Sequence, residues 1–82
     1  MAADPISIVR EDGFHWVVVN GEHTVGYASL TRAEAYMAGF RAAREGRGRE
    51  AVYRHEVDPS RVGVDNRRMQ VAWLEGWEHG RR

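Results

Sequence analysis

Residues 6–28, ISIVREDGFHWVVVNGEHTVGYA, decide the fold. Three runs of β-branched and aromatic residues are separated by Asp12-Gly13 and Asn20-Gly21. These two dipeptides tolerate the positive φ angles of two-residue hairpin turns. The stretch therefore reads as a three-stranded antiparallel meander, with strands at Ile6–Glu11, Phe14–Val19 and Glu22–Ala28.

Two-residue turns also set a register. Ile8 faces Val17, Val9 faces Trp16, Trp16 faces Val25 and Phe14 faces Tyr27. Side chains alternate along a strand. One sheet face then collects Val9, Phe14, Trp16, Val18, Val25 and Tyr27, and is expected to pack on the helices. The other collects Ile6, Ile8, Val17 and Val19 with His15 and Thr24. Two helices cover only one side of such a sheet, and large apolar patches on soluble proteins mark interfaces. Ile6, Ile8, Val17 and Val19 are thus the candidate protein interface, met by a second copy of the chain or by another protein.

Beyond the meander, Thr31-Arg32-Ala33-Glu34 has the form of a capping box. Ala33, Tyr36, Met37, Phe40 and Ala43 recur at helical spacing, and Gly46 is a natural stop. Helix one is predicted over residues 31–46. Residues 47–63 read as a loop, long enough to hold a short extended piece at 51–57. Helix two is predicted over residues 65–79, capped by Asp65, with Met69, Ala72, Trp73, Gly76 and Trp77 on one face. At this spacing the two tryptophans read as core. Glycine costs about 1 kcal/mol in a helix interior relative to alanine, so Gly39 and Gly76 imply close backbone approach. The expected architecture is α+β in a single domain, residues 1–82. A meander over residues 6–28 precedes two helices packed as an antiparallel helical hairpin.

Composition narrows the function. The chain has 82 residues and no cysteine, which excludes disulfides, thiolate zinc sites and thiol catalysis. A chain this short has little wall with which to enclose a substrate. Ser7, Ser29 and Ser60 lack a glycine elbow, the carboxylates are dispersed, and no phosphate loop ends in lysine. His15, His23, His55 and His79 show no metal-ligand spacing. The N-terminus has neither the basic start nor the apolar run of a signal peptide, and no stretch has the length of a membrane span. The expectation is a cytoplasmic, non-enzymatic binding protein with no cofactor and no membrane partner.

Formal net charge is zero, but it is unevenly placed. Residues 1–30 carry Arg10 against Asp4, Glu11, Asp12 and Glu22, a net −3, and residues 31–82 carry +3. Every one of the 12 basic residues is arginine, whose planar fork suits phosphates and base faces. Arg44, Arg47, Arg49, Tyr53, Arg54, Arg67 and Arg68 gather around the 47–63 segment and the start of helix two. They are the candidate RNA-binding residues, the arginines for the backbone and Tyr53 for stacking.

Gly39-Phe40-Arg41-Ala42-Ala43-Arg44-Glu45-Gly46-Arg47 resembles the first-helix signature of the ribosome modulation factor family. Trp73-Leu74-Glu75-Gly76-Trp77 is similar to the Trp-Leu-x-Gly-Trp motif of that family's second helix. The resemblance covers about residues 33–80, and the meander has no counterpart in the short members. It implies two packed helices and association with the small ribosomal subunit and its rRNA, silencing translation in stationary phase. Small proteins described as modifying fluoroquinolones belong to the same fold family, and members occur on mobile elements. A ribosome- or RNA-associated modulator of translation is the leading expectation. The alternative is a phage or mobile-element protein that inhibits or assists another protein through its sheet face.

Overall fold

The computed structural model describes residues 5–50 and 64–82, the first three of the second segment as backbone alone. The order of elements is β1 (Ile6–Glu11), β2 (Phe14–Val19), β3 (Glu22–Tyr27), α1 (Leu30–Arg44) and α2 (Val64–Gly80). The expectation of an extended piece at 51–57 and most of the predicted loop lie outside the described residues.

The three strands form one antiparallel sheet in the order β1-β2-β3. Both turns have the chemistry the sequence announces. Asp12 and Gly13 have φ values of 53° and 79°, and Asn20 and Gly21 of 52° and 82°. All four are left-handed, as a turn that follows the right-handed strand twist requires. β1 and β2 pair in the expected register, Ile8 with Val17 and Val9 with Trp16.

β3 departs from that expectation, and the departure turns the sheet over. Val19 pairs with Glu22 and Val18 with His23, but Val17 pairs with Val25, not Thr24. Thr24 is an extra residue, a β-bulge. Beyond a one-residue slip, every side chain changes face. Tyr27 therefore lies opposite His15 rather than Phe14, and Gly26 opposite Trp16. Val25 and Tyr27 join Ile6, Ile8, Val17 and Val19 on one side, and this side packs on the helices.

The proposed protein interface is thereby corrected. Val17 has no exposed surface, Ile6 is 2 % exposed, Val19 is also buried, and Ile8 packs against the same core. Of the face expected inside, Val9 and Phe14 are exposed and Trp16 is half-buried, and of its members that stay on that side only Val18, at 9 % exposed, is buried. The bulge delivers the large Tyr27 ring to the aliphatic side, where it fills the angle between sheet and helices.

α1 starts at Leu30, with Ser29 as N-cap in extended conformation and no side-chain cap bond. The capping box read at Thr31–Glu34 does not form, because Thr31 already lies within the first turn. The other end follows the sequence. Gly46 has φ 80°, its N–H donates to Ala43 O, and the N–H of Arg47 donates to Ala42 O. This is the paired C-terminal closure that glycine permits. Buried residues of α1 include Ala33, Tyr36 and Phe40 together with Ala35, Gly39 and Ala42, an arc too wide for a one-sided helix. α1 indeed touches all three strands and also carries α2.

α1 and α2 make the most extensive contact in the fold, but not in the sense expected. A Cβ on Gly76 would overlap Tyr36 O, one on Gly39 would overlap Trp73 O, and one on Gly80 would stand 2.5 Å from Phe40 O. Tyr36 to Phe40 and Gly76 to Gly80 are equal steps in the same direction. The helices therefore run side by side in a parallel sense, not as an antiparallel hairpin. Antiparallel neighbours follow from short connections. Here the chain between Arg44 and Val64 is long enough to return α2 to the starting end of α1.

Candidate functional site

The parallel sense decides which arginines meet. Both helices end at the same pole. The indole N–H of Trp77 donates to Arg47 O at 2.9 Å, tying α2 to the chain just after α1. Arg41 and Arg44 from α1, Arg47 and Arg49 beyond it, and Arg81 and Arg82 beyond α2 thus share one end of the molecule, and all six are exposed. Glu45, Glu50 and Glu78 accompany them, so these nine described residues sum to +3.

The guanidinium groups are held apart by rings rather than by acids alone. Arg44 lies over the Phe40 ring at 5.2 Å, and Arg81 over the Trp77 ring at 5.3 Å. Arg47 pairs with Glu45, and Arg81 with Glu78 at 3.3 Å. These pairs are exposed, and exposed pairs hold their partners weakly. Cations here also meet the negative ends of two helix dipoles at once.

Among the sequence-predicted RNA-binding residues, Arg44, Arg47 and Arg49 belong to this pole. Arg67 and Arg68 are exposed but lie near the start of α2. They are about 20 Å along the helix from its end at 1.5 Å per residue. They do not join the same patch. Tyr53 and Arg54 lie outside the described residues. Sequence reasoning missed Arg81 and Arg82 as partners of Arg44 and Arg47, because the antiparallel hairpin put them at the wrong end.

A second cluster lies between β3 and α2. The Tyr27 hydroxyl donates to Glu75 at 3.1 Å, and the Tyr36 hydroxyl is 2.6 Å from His79 Nδ1. Beside them runs an open groove of about 600 Å3, lined by Val25, Tyr36, Leu74, Glu75 and Glu78 among others. Burial, followed by the nearby Glu75 carboxylate, pushes both phenols above the usual tyrosine value. A phenol so shifted is neutral at pH 7 and unsuited to act as base or nucleophile. The two bonds instead pin α2 to the sheet and to α1. Glu75 and His79 stand at i and i+4, so they share a face; that spacing was the available signal for the pair.

The outer sheet face is the third feature. Phe14 and Trp16 lie with ring centroids 6.2 Å apart, and Trp16 meets His23 edge-on at 5.6 Å. The Trp16 ring covers Gly26, where a Cβ would stand 3.1 Å from three ring atoms. His23 Nε2 is 3.0 Å from Glu11 Oε2.

Among the described residues, no group of three or more histidine, aspartate or glutamate side chains could hold a metal ion. No described helix is long and apolar enough to cross a membrane. No family model, curated protein or solved structure matches this chain.

Proposed function

We propose that this chain is a non-enzymatic binding protein that grips the phosphate backbone of a structured RNA, in the leading case ribosomal RNA, with its arginine-bearing pole. The observation that carries the reading is the convergence of Arg44, Arg47, Arg81 and Arg82 where two parallel helices end together. Exposed arginines laid against rings keep their donors turned outward for bidentate phosphate contacts. The resemblance of the helical half to the ribosome modulation factor family supports the same partner and the same outcome, modulation of translation.

The test is twofold. Co-sedimentation through sucrose gradients asks whether the chain travels with ribosomal subunits. Fluorescence anisotropy with a labelled ribosomal RNA hairpin then measures affinity against salt, since each neutralised phosphate releases counterions. Association that weakens steeply with salt supports the reading. Absence of RNA affinity at low salt overturns it.

A further inference from the structure

We infer that the RNA backbone, gripped at the arginine pole, leaves it along the groove between α1 and β1, where Arg41 and then Arg10 receive further phosphates. This path rests on the RNA reading of the pole and gives that reading a direction.

Two grooves of opposite charge flank the helix pair among the described residues. The groove between β3 and α2, about 600 Å3, is lined by Glu75 and Glu78, with Arg82 as its one arginine. The groove between β1 and α1, about 530 Å3, is lined by Arg10 and Arg41, with Glu34 as its one acid. Each also holds a histidine, His79 in the first and His15 in the second, so arginines and acids make the difference. A phosphate chain leaving the pole is repelled on the α2 flank and attracted on the α1 flank.

Arg41 makes the second groove continuous with the pole. It also lines the adjoining hollow, formed with Pro5, Phe40, Arg44 and Glu45. Pro5 precedes β1, so the strand starts beside Arg41 and Arg44 and carries Arg10 five residues further on, about 16 Å at 3.2–3.4 Å per residue. Ile6, Ile8 and Arg10 alternate onto the same face of β1. Ile6 is buried and Ile8 packs against the core, whereas Arg10 is exposed beside its cross-strand partner His15. Sheet and helix thus aim Arg10 into the groove and leave its fork open to a ligand. An acidic protein segment would meet the same arginines. Continuity with the pole favours RNA, since a backbone held there must leave by one flank or the other.

The test uses the full chain and the labelled ribosomal RNA hairpin, read by fluorescence anisotropy over a salt series. Arg10→Gln is expected to flatten the slope of log affinity against log salt by roughly one unit. Arg67→Gln, an equal charge change near the start of α2, should flatten it less. Glu34→Gln, which removes the acid of the groove, should tighten binding more than Glu22→Gln, an equal change at the start of β3. All four side chains are exposed, and each variant should keep the wild-type melting temperature. Arg10→Gln indistinguishable from Arg67→Gln, while Arg44→Ala with Arg81→Ala still flattens the slope, overturns the path and leaves the pole. A wild type without RNA affinity overturns both. A glutamate-glycine peptide bound by the wild type and lost in Arg10→Gln, with the RNA slope unchanged, would give the groove to an acidic protein segment instead.

Discussion

Gly76 of α2 rests against the backbone carbonyl of Tyr36 in α1, with no room for a methyl group between the two helices. Gly39 makes the reciprocal approach to Trp73. In an ordinary exposed helix, Gly→Ala stabilises by about 1 kcal/mol. Here the sign reverses, because the obstacle is rigid backbone rather than the tip of a side chain. Gly76→Ala is expected to destabilise by at least the ~1–3 kcal/mol typical of overpacking. In a domain of this size that corresponds to a melting temperature lower by roughly 5–20 °C. A thermal melt at or above the wild-type temperature would contradict the packing.

Val17 has no exposed surface, so a charge there must be desolvated. Val17→Lys is expected to leave the chain largely unfolded by circular dichroism. Val9→Lys, on the opposite face, is expected to fold with little change in melting temperature. A folded Val17→Lys protein beside an unfolded Val9→Lys protein would show that the two faces have been assigned the wrong way round.

The Tyr27 and Tyr36 phenols are raised by burial and by Glu75. Between pH 7 and the ordinary tyrosine value of about 10, both are protonated folded or unfolded, and their contribution to stability is constant. Above that value the unfolded chain loses protons that the folded chain keeps. Stability then falls as pH rises, until the folded phenols ionise as well. Urea unfolding at pH 8 and pH 11 should show this loss, and Tyr27→Phe should reduce it. A Tyr27→Phe protein as alkali-sensitive as wild type would remove Tyr27 as a cause.

Arg44 and Arg47 share a pole with Arg81 and Arg82, whereas Arg67 and Arg68 stand near the other end of α2. Replacing Arg44 and Arg81 together by alanine is expected to flatten the slope of log affinity for RNA against log salt by roughly one to two units. Replacing Arg67 and Arg68 together should change it less. The reverse ranking, measured by anisotropy over a salt series, would place the RNA elsewhere.

The sequence by itself determined the local structure. Asp12-Gly13 and Asn20-Gly21 set two left-handed turns, and the runs between them could only pair as a meander. Gly46 closed α1 because it alone meets no penalty at positive φ. Gly39 and Gly76 were legible as points of close approach, since glycine inside a helix otherwise weakens it. Thr31–Glu34 misled because the pattern matched a capping box while the chain began its helix one residue earlier, at Leu30.

Tertiary structure decided two further matters. The first is which sheet face lies inside. One bulged residue, Thr24, moves Val25 and Tyr27 across the sheet, and the alternation of a strand carries no mark of where such an insertion falls. On the side of Ile6, Val17 and Val19, Tyr27 is buried and its hydroxyl reaches Glu75 of α2. The second is the sense of the helix pair. Each helix shows its own stripe, but a stripe is the same whether its partner runs up or down. Only the meeting of Gly76 with Tyr36 and of Gly80 with Phe40 fixed the direction, and with it the set of arginines gathered at one pole.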